Sequence, residues 1–213
     1  MLGEIMDNDT PQLYDEGEEQ WKTKLHLGCG NIYLIGYENI DVVGVLADER
    51  PDLVEANRTN IKSYYGRRTA YTDIHHIVPR AGYVVDRRMC MTNLGNEIGS
   101  VNKIVCIQAL EHLQPNDGVR ALTHWHDLLK QDGILMISVP DTSETVEMLL
   151  DECTRDFAIQ HLAGTRTDQH SYHRNHFTRL CLSALLTLHG YGEIEFLSNF
   201  HRYPAIVVRA KRL

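Results

Sequence analysis

Short runs of β-branched and aliphatic residues alternate along the chain with amphipathic stretches, the pattern of a mostly parallel sheet covered by helices. The apolar runs predict seven strands, at Lys24–Leu27, Asn39–Val43, Tyr83–Asp86, Lys103–Gln108, Ile134–Val139, Glu193–Leu197 and Ala205–Ala210. Between the fourth and fifth, NDGVRALTHWHDLLKQDG sets Val119, Leu122, Trp125 or His126, and Leu129 on one helical face, with Asn116 or Asp117 as cap and Gly133 after the end. Near the C-terminus, FTRLCLSALLTLHG predicts a helix capped by Thr178 and stopped at Gly190. The segment between the last two strands holds no helix, so these strands should pair antiparallel. The expected fold class is α/β, with a seven-stranded, mostly parallel sheet that ends in an antiparallel hairpin.

Two connections depart from the regular pattern. Only Gly28 to Glu38 separates the first two strands, less than a parallel crossover with a full helix needs, so a single helical turn or a bare loop is expected there. Residues 45–82 are long for one connection and hold PDLVEANRTNIKSYY, a predicted helix, which makes this stretch a candidate lid or substrate wall. The length of 213 residues fits one domain over residues 1–213, with residues 1–21 as an N-terminal extension.

Composition narrows the function classes. The net charge of −8 with scattered basic residues disfavours a non-specific grip on nucleic acid and favours a small or neutral substrate. Five cysteines without regular spacing, with Cys29, Cys106 and Cys181 inside apolar segments, suit free thiols in a reducing compartment. The acidic N-terminus has no apolar signal core and no segment reaches membrane-span length, so a soluble, cytoplasmic protein is expected.

Candidate chemistry begins at LHLGCGN. In an open α/β sheet, ligands bind at the carboxyl ends of the strands, and Gly28 and Gly30 end the first strand, where they let a ligand approach the backbone. Tyr33 stands where a dinucleotide fingerprint needs its third glycine, and no Gly-Lys-Ser/Thr follows, so pyrophosphate and triphosphate are poor candidates. An adenosine-type ligand without phosphates remains.

The order of LHLGCGN, GYENID, YVVDRRM, CIQALEHL and LLKQDGILMISVPD resembles the class I S-adenosylmethionine-dependent methyltransferases, over roughly Lys22 to Asp141, and most closely the branch associated with glycan and polysaccharide biosynthesis. The resemblance implies a Rossmann-like three-layer sandwich and S-adenosyl-L-methionine as cofactor. It implies that Gly28, Cys29 and Gly30 pass under the methionine part of the cofactor and that Asp41 takes both ribose hydroxyls. Asp86, with the backbone of Arg87, is implied to read adenine, and Gln108 to line the sulfonium side. Small size beside the ligand, rather than reactivity, explains Cys29. One departure stands out: His26 occupies the position where the family usually carries an acidic residue.

A hydroxyl acceptor needs a base. Glu111 and His112 follow the fourth strand and Asp141 the fifth, both at the ligand end of the sheet, and a histidine with a near-neutral pKa suits the task. The late loop DQHSYHRNHFT adds His170, His173 and His176. The candidate catalytic set is His112, Asp141, His173 and His176. No metal is expected, because three histidines at i, i+3 and i+6 fan around a helix rather than converge. His75 and His76 in the long connection are adjacent and would face opposite sides of a strand.

A flipped-base DNA methylase would carry Pro-Pro-aromatic after the fourth strand, where this chain reads QALEH, so nucleic acid is not expected as partner. The implied activity is O-methylation of a sugar hydroxyl on a glycan or its precursor, with Tyr64, Tyr65, Tyr71 and Tyr172 available for stacking. Methylation of a small metabolite or lipid head group is the alternative within enzymes. A non-catalytic scaffold is the alternative outside them, and His26 is the feature that favours it.

Overall fold

The computed structural model describes residues 23–59, 82–201 and 203–213. Tyr64, Tyr65, Tyr71, His75, His76 and the N-terminal extension lie outside these residues. The first strands are β1 (Lys24–Leu27), β2 (Tyr33–Leu34), β3 (Glu38–Asp41), β4 (Val45–Leu46), β5 (Arg58–Thr59), β6 (Val84–Val85), β7 (Arg87–Arg88) and β8 (Val101–Ile107). They are followed by β9 (Leu129–Pro140), β10 (Tyr191–Leu197) and β11 (Ala205–Arg212). The helices are α1 (Pro51–Asn57), α2 (Pro115–Leu128), α3 (Thr142–Glu147), α4 (Arg155–Ala163) and α5 (Arg179–Leu188).

Seven strands form the main sheet in the order β10-β11-β9-β8-β1-β3-β7. The five from β9 to β7 are mutually parallel, while β11 runs antiparallel to both β9 and β10. The expected α/β sheet with its closing hairpin is therefore present. No helix fills the connection from β1 to β3. Turns and the two-residue β2 do, and β2 pairs with β5 from the long connection.

One strand differs from expectation. The apolar run at Tyr83–Asp86 is not a single member of the main sheet: Val84–Val85 pairs with β4 in a separate ribbon, and only Arg87–Arg88 joins β3. The change of partner occurs at Asp86, whose carboxylate accepts the backbone N–H of Asn39 at 2.7 Å and the hydroxyl of Tyr33 at 2.6 Å.

Period-2 alternation in the central strands divides the core. Ile104, Cys106, Leu135, Ile137 and Val139 face a cluster built with Ala121, Leu122, Trp125, Leu182 and Leu186 of α2 and α5. Val105, Ile107 and Met136 face the other way, against Leu34, Tyr37, Leu197 and Val207. Helix α2 starts at Pro115, one residue before the expected cap, because proline's fixed φ suits a first helical position. Its buried face is Gly118, Ala121, Leu122, Trp125 and Leu128, and Leu129 already belongs to β9. Helix α5 matches expectation: Thr178 Oγ accepts from the Cys181 N–H, and Gly190 follows at φ +84°. All five cysteines are free; Cys29 and Cys106 are buried, whereas Cys181 is exposed. Among the described residues no helix is long and apolar enough to cross a membrane.

Candidate active site

The parallel strands deliver β1, β3, β7 and β8 to one edge, and the segments leaving them border a cavity of about 430 Å³. Gly28 and Gly30 enter it after β1 with φ of +63° and +56°. A Cβ on Gly28 would sit 2.3 Å from the Ala109 Cβ, so only glycine lets β1 turn so close to the segment after β8. Asp41, at the end of β3, faces the same cavity. Its Oδ2 accepts the Gly30 N–H at 3.0 Å and its Oδ1 accepts the Val43 N–H at 3.2 Å, which fixes the carboxylate.

Gln108 also lines this cavity, from a left-handed backbone at φ +51°. Its amide donates to Ser138 Oγ at 3.2 Å, and that hydroxyl contacts His201 Nε2 at 2.9 Å. Burial, and then His161 nearby, lowers the His201 pKa to about 3, so the ring is neutral. Gln108 is thus held by a chain reaching into β9 and the loop before β11, and this strained residue occupies the boundary between two cavities. The second, of about 170 Å³, is lined by Gln108, Phe157, Gln160, His161, His173 and Tyr203 among others.

Several expected cofactor residues are placed elsewhere. Asp86 does not line the cavity; its carboxylate is spent on Tyr33 and Asn39. Arg87 pairs with Glu38 at 2.8 Å and donates to Leu94 and Asn96, which braces the edge strand. The cavity is reached instead by Cys90 and Met91, in the segment that follows β7. The Met91 carbonyl accepts the Trp125 indole N–H at 2.7 Å, so α2 positions this segment. Cys29 does not line the cavity either: its side chain is buried, and burial followed by the charges of Asp41 and Asp86 raises its thiol pKa well above the ordinary value. His26 is buried within β1, donating from Nδ1 to Asn39 Oδ1 at 3.0 Å, and burial lowers its pKa to about 4. It stands apart from the cavity lining.

Of the expected catalytic residues, the site gathers two. His112, in the single helical turn Leu110–His112, lines the larger cavity. Its Nδ1 lies 3.0 Å from the Tyr172 carbonyl, which can only accept, so Nδ1 carries a proton and donates it there. His173 lines the smaller cavity, 4.9 Å from the His112 ring between centroids. Burial, then His112 and His161, pushes its pKa down to about 3. His176 is exposed and lines neither cavity.

Asp141 is a helix cap rather than a cavity residue: Oδ1 accepts from the Ser143 and Glu144 N–H groups at the start of α3, and Oδ2 lies 3.9 Å from Arg179. Asp141→Ala is expected to cost about 1 kcal/mol in denaturant unfolding, the worth of an N-cap, while S-adenosylhomocysteine affinity stays unchanged. A loss of affinity in the folded variant would return Asp141 to the site.

The residues missed from the sequence are those without a local signal. Gln169 and Arg174 reach the larger cavity, together with His170, which the sequence had already singled out, because the late loop is pinned to the Leu110–His112 turn. Its Arg174 and Asn175 N–H groups donate to the Glu111 carbonyl at 2.8 and 3.0 Å. Tyr203 and His161 enter the smaller cavity from the hairpin loop and α4.

No family model matches the sequence, and no curated protein matches it. Solved structures do. An S-adenosylmethionine-dependent methyltransferase of Methanosarcina mazei superposes with a TM-score of 0.53 at 17% identity, covering 94% of this chain and 98% of that one. The fold is that of class I methyltransferases. A Burkholderia thailandensis 1,6-didemethyltoxoflavin-N1-methyltransferase with bound S-adenosylhomocysteine gives 0.50 at 15% identity, covering 89% and 70% of the two chains. A Bordetella parapertussis protein described as a possible exported protein gives 0.52 at 12%, covering 89% and 61%.

Proposed function

We propose that the protein is an S-adenosylmethionine-dependent methyltransferase whose acceptor is an oxygen, with a sugar hydroxyl of a glycan or glycan precursor as the substrate class. The observation that carries this reading is the meeting of the two cavities at Gln108, one bordered by the glycine turn and Asp41, the other by aromatic and imidazole rings. The larger cavity fits the cofactor. Gly28 presents backbone where a side chain could not stand. Asp41 spends one acceptor site per oxygen on backbone amides, and since a carboxylate offers about four, the remainder suit a vicinal diol. Cys90 and Met91 supply a flank for a flat heterocycle.

The cofactor, when bound, supplies an electrophilic sulfonium methyl; the chain has to align the acceptor and receive its proton. His161 and His173 are neutral, since burial lowers both pKa values, to about 4 and about 3. Imidazoles held neutral in this way can accept a hydrogen bond from a hydroxyl and orient it, and Phe157 and Tyr203 offer ring faces for a sugar. The same small, ring-lined cavity also suits a planar metabolite, which is the second reading.

Calorimetric titration with S-adenosylhomocysteine tests the first step. Asp41→Ala should weaken binding about ten-fold or more, a loss of about 1.4 kcal/mol. Equal affinity in both proteins would remove Asp41 from the site. An acceptor screen then separates the readings: methyl transfer to saccharides supports the sugar assignment, and turnover confined to small heterocycles replaces it.

A further inference from the structure

We propose that Glu111, His112 and His173 bind one divalent first-row transition-metal cation at the junction of the two cavities. These residues each offer a ligand atom, and the three atoms lie within 4.8 Å of one another. The convergence is non-local: Glu111 and His112 share a helical turn after β8, and the backbone bonds from Arg174 and Asn175 to the Glu111 carbonyl carry His173 to them.

Glu111 is the second, independent observation. Its side chain is 1% exposed, and among the described residues neither carboxylate oxygen has a hydrogen-bond partner. The nearest cationic candidate, His173 Nε2, is 4.0 Å away, beyond hydrogen-bond reach. A buried carboxyl without a partner is costly whether it is ionised or holds its proton, and buried polar groups of this kind are ordinarily hydrogen-bonded, paired or bound to metal.

One imidazole is oriented as a ligand is. His112 donates its Nδ1 proton to the Tyr172 carbonyl at 3.0 Å. Backbone carbonyls commonly fix metal-binding histidines in this manner. Tetrahedral ligation at about 2.0–2.2 Å needs ligand atoms about 3.3 Å apart, so small side-chain rotations close the site.

The donor set selects the cation. Two imidazoles and one carboxylate suit zinc, iron, cobalt or manganese, whereas magnesium and calcium favour all-oxygen shells. Three protein ligands leave a position open, and His173 borders the smaller cavity, so an acceptor oxygen can complete the shell. That last role rests on the methyltransferase reading; cation binding itself does not. The expectation that the late-loop histidines fan apart holds for His176 but overlooks this partnership of His173 with residues far along the chain.

The test uses chelator-treated protein titrated with Co²⁺, followed by visible absorption, and with Zn²⁺ by calorimetry. One equivalent of Co²⁺ should give the d–d bands of a four- or five-coordinate site, and Zn²⁺ should abolish them. Glu111→Gln, which is isosteric and buries no charge, and His173→Ala should each weaken Zn²⁺ binding about ten-fold or more. Both variants should melt cooperatively and keep their S-adenosylhomocysteine affinity. Absence of saturable binding, or equal Zn²⁺ affinity in all three proteins, overturns the site. Nucleoside binding without Zn²⁺ binding sinks this proposal alone, and the reverse sinks the methyltransferase reading alone.

Discussion

Gly28→Ala should abolish S-adenosylhomocysteine binding and lower unfolding stability by about 2–5 kcal/mol. The added carbon would lie 2.3 Å from Ala109 Cβ and 3.2 Å from Met91 Cε, where van der Waals contact needs about 3.5 Å or more. Ala109 has little room to withdraw, because it is 5% exposed and leads into the turn that carries Glu111 and His112. Overpacking of this kind costs about 1–3 kcal/mol, and the φ of +63° adds about 1–2 kcal/mol for any residue with a Cβ. Gly30→Ala is the control. It shares a positive φ of +56° but meets no atom within 4 Å, so only the backbone term of about 1–2 kcal/mol should appear. Denaturant unfolding and calorimetry on both variants check the contrast; a Gly28→Ala protein that unfolds and binds like the parent would mean the β1 turn is not packed against Ala109.

That turn was legible in the sequence, since a Gly-X-Gly after an apolar strand has few uses other than close approach to a ligand. The sheet was legible for a related reason: central strands buried on both faces must be apolar along their buried part, and IVCI and ILMI are. The break at Asp86 was not. YVVD reads as one strand, and the change of partner depends on Tyr33 and Asn39, residues 53 and 47 positions away. The segment bordering the cavity therefore lies at Cys90 and Met91, a few residues later than the motif suggests.

Asp141 carried a local signal that its position after a strand obscured, since Asp-Thr-Ser-Glu has the Asp-x-x-Glu spacing of a helix start, and capping is what the carboxylate does. Glu111 is the opposite case. Inside ALEHL nothing local distinguishes a buried acid from an exposed one, and its convergence with His173 exists only once the late loop is bonded to it.

Acidification should unfold the protein between pH 6.5 and about 4, the second large effect. His26 and His161 are each lowered by burial from 6.5 to about 4, and His201 by burial and the nearby His161 to about 3. In this window the unfolded chain binds protons that the folded protein refuses. Stability therefore falls as pH drops from 6.5 toward 4, and these groups contribute no pH dependence above the window, where they are neutral in both states. Each pKa unit is worth about 1.4 kcal/mol, so the three together withdraw on the order of 10 kcal/mol, comparable with the 5–15 kcal/mol stability of a typical domain. In the metal-free protein Glu111 and His173 titrate as well. Burial pushes the Glu111 pKa up to about 8, so the folded protein holds that proton more tightly and gains stability as pH falls from 8 to about 4.5, whereas His173, lowered to about 3, adds to the loss below 6.5: one group against four. Unfolding free energies measured by denaturant from pH 8 to 4 should therefore rise by about 2 kcal/mol down to pH 6.5 and then drop steeply near pH 5. His201→Gln removes one of the refused protons and should flatten that drop by about 1.4 kcal/mol per pH unit, whatever the substitution costs at neutral pH. An unchanged slope would mean that His201, which contacts the Ser138 hydroxyl holding Gln108, is protonated in the folded protein.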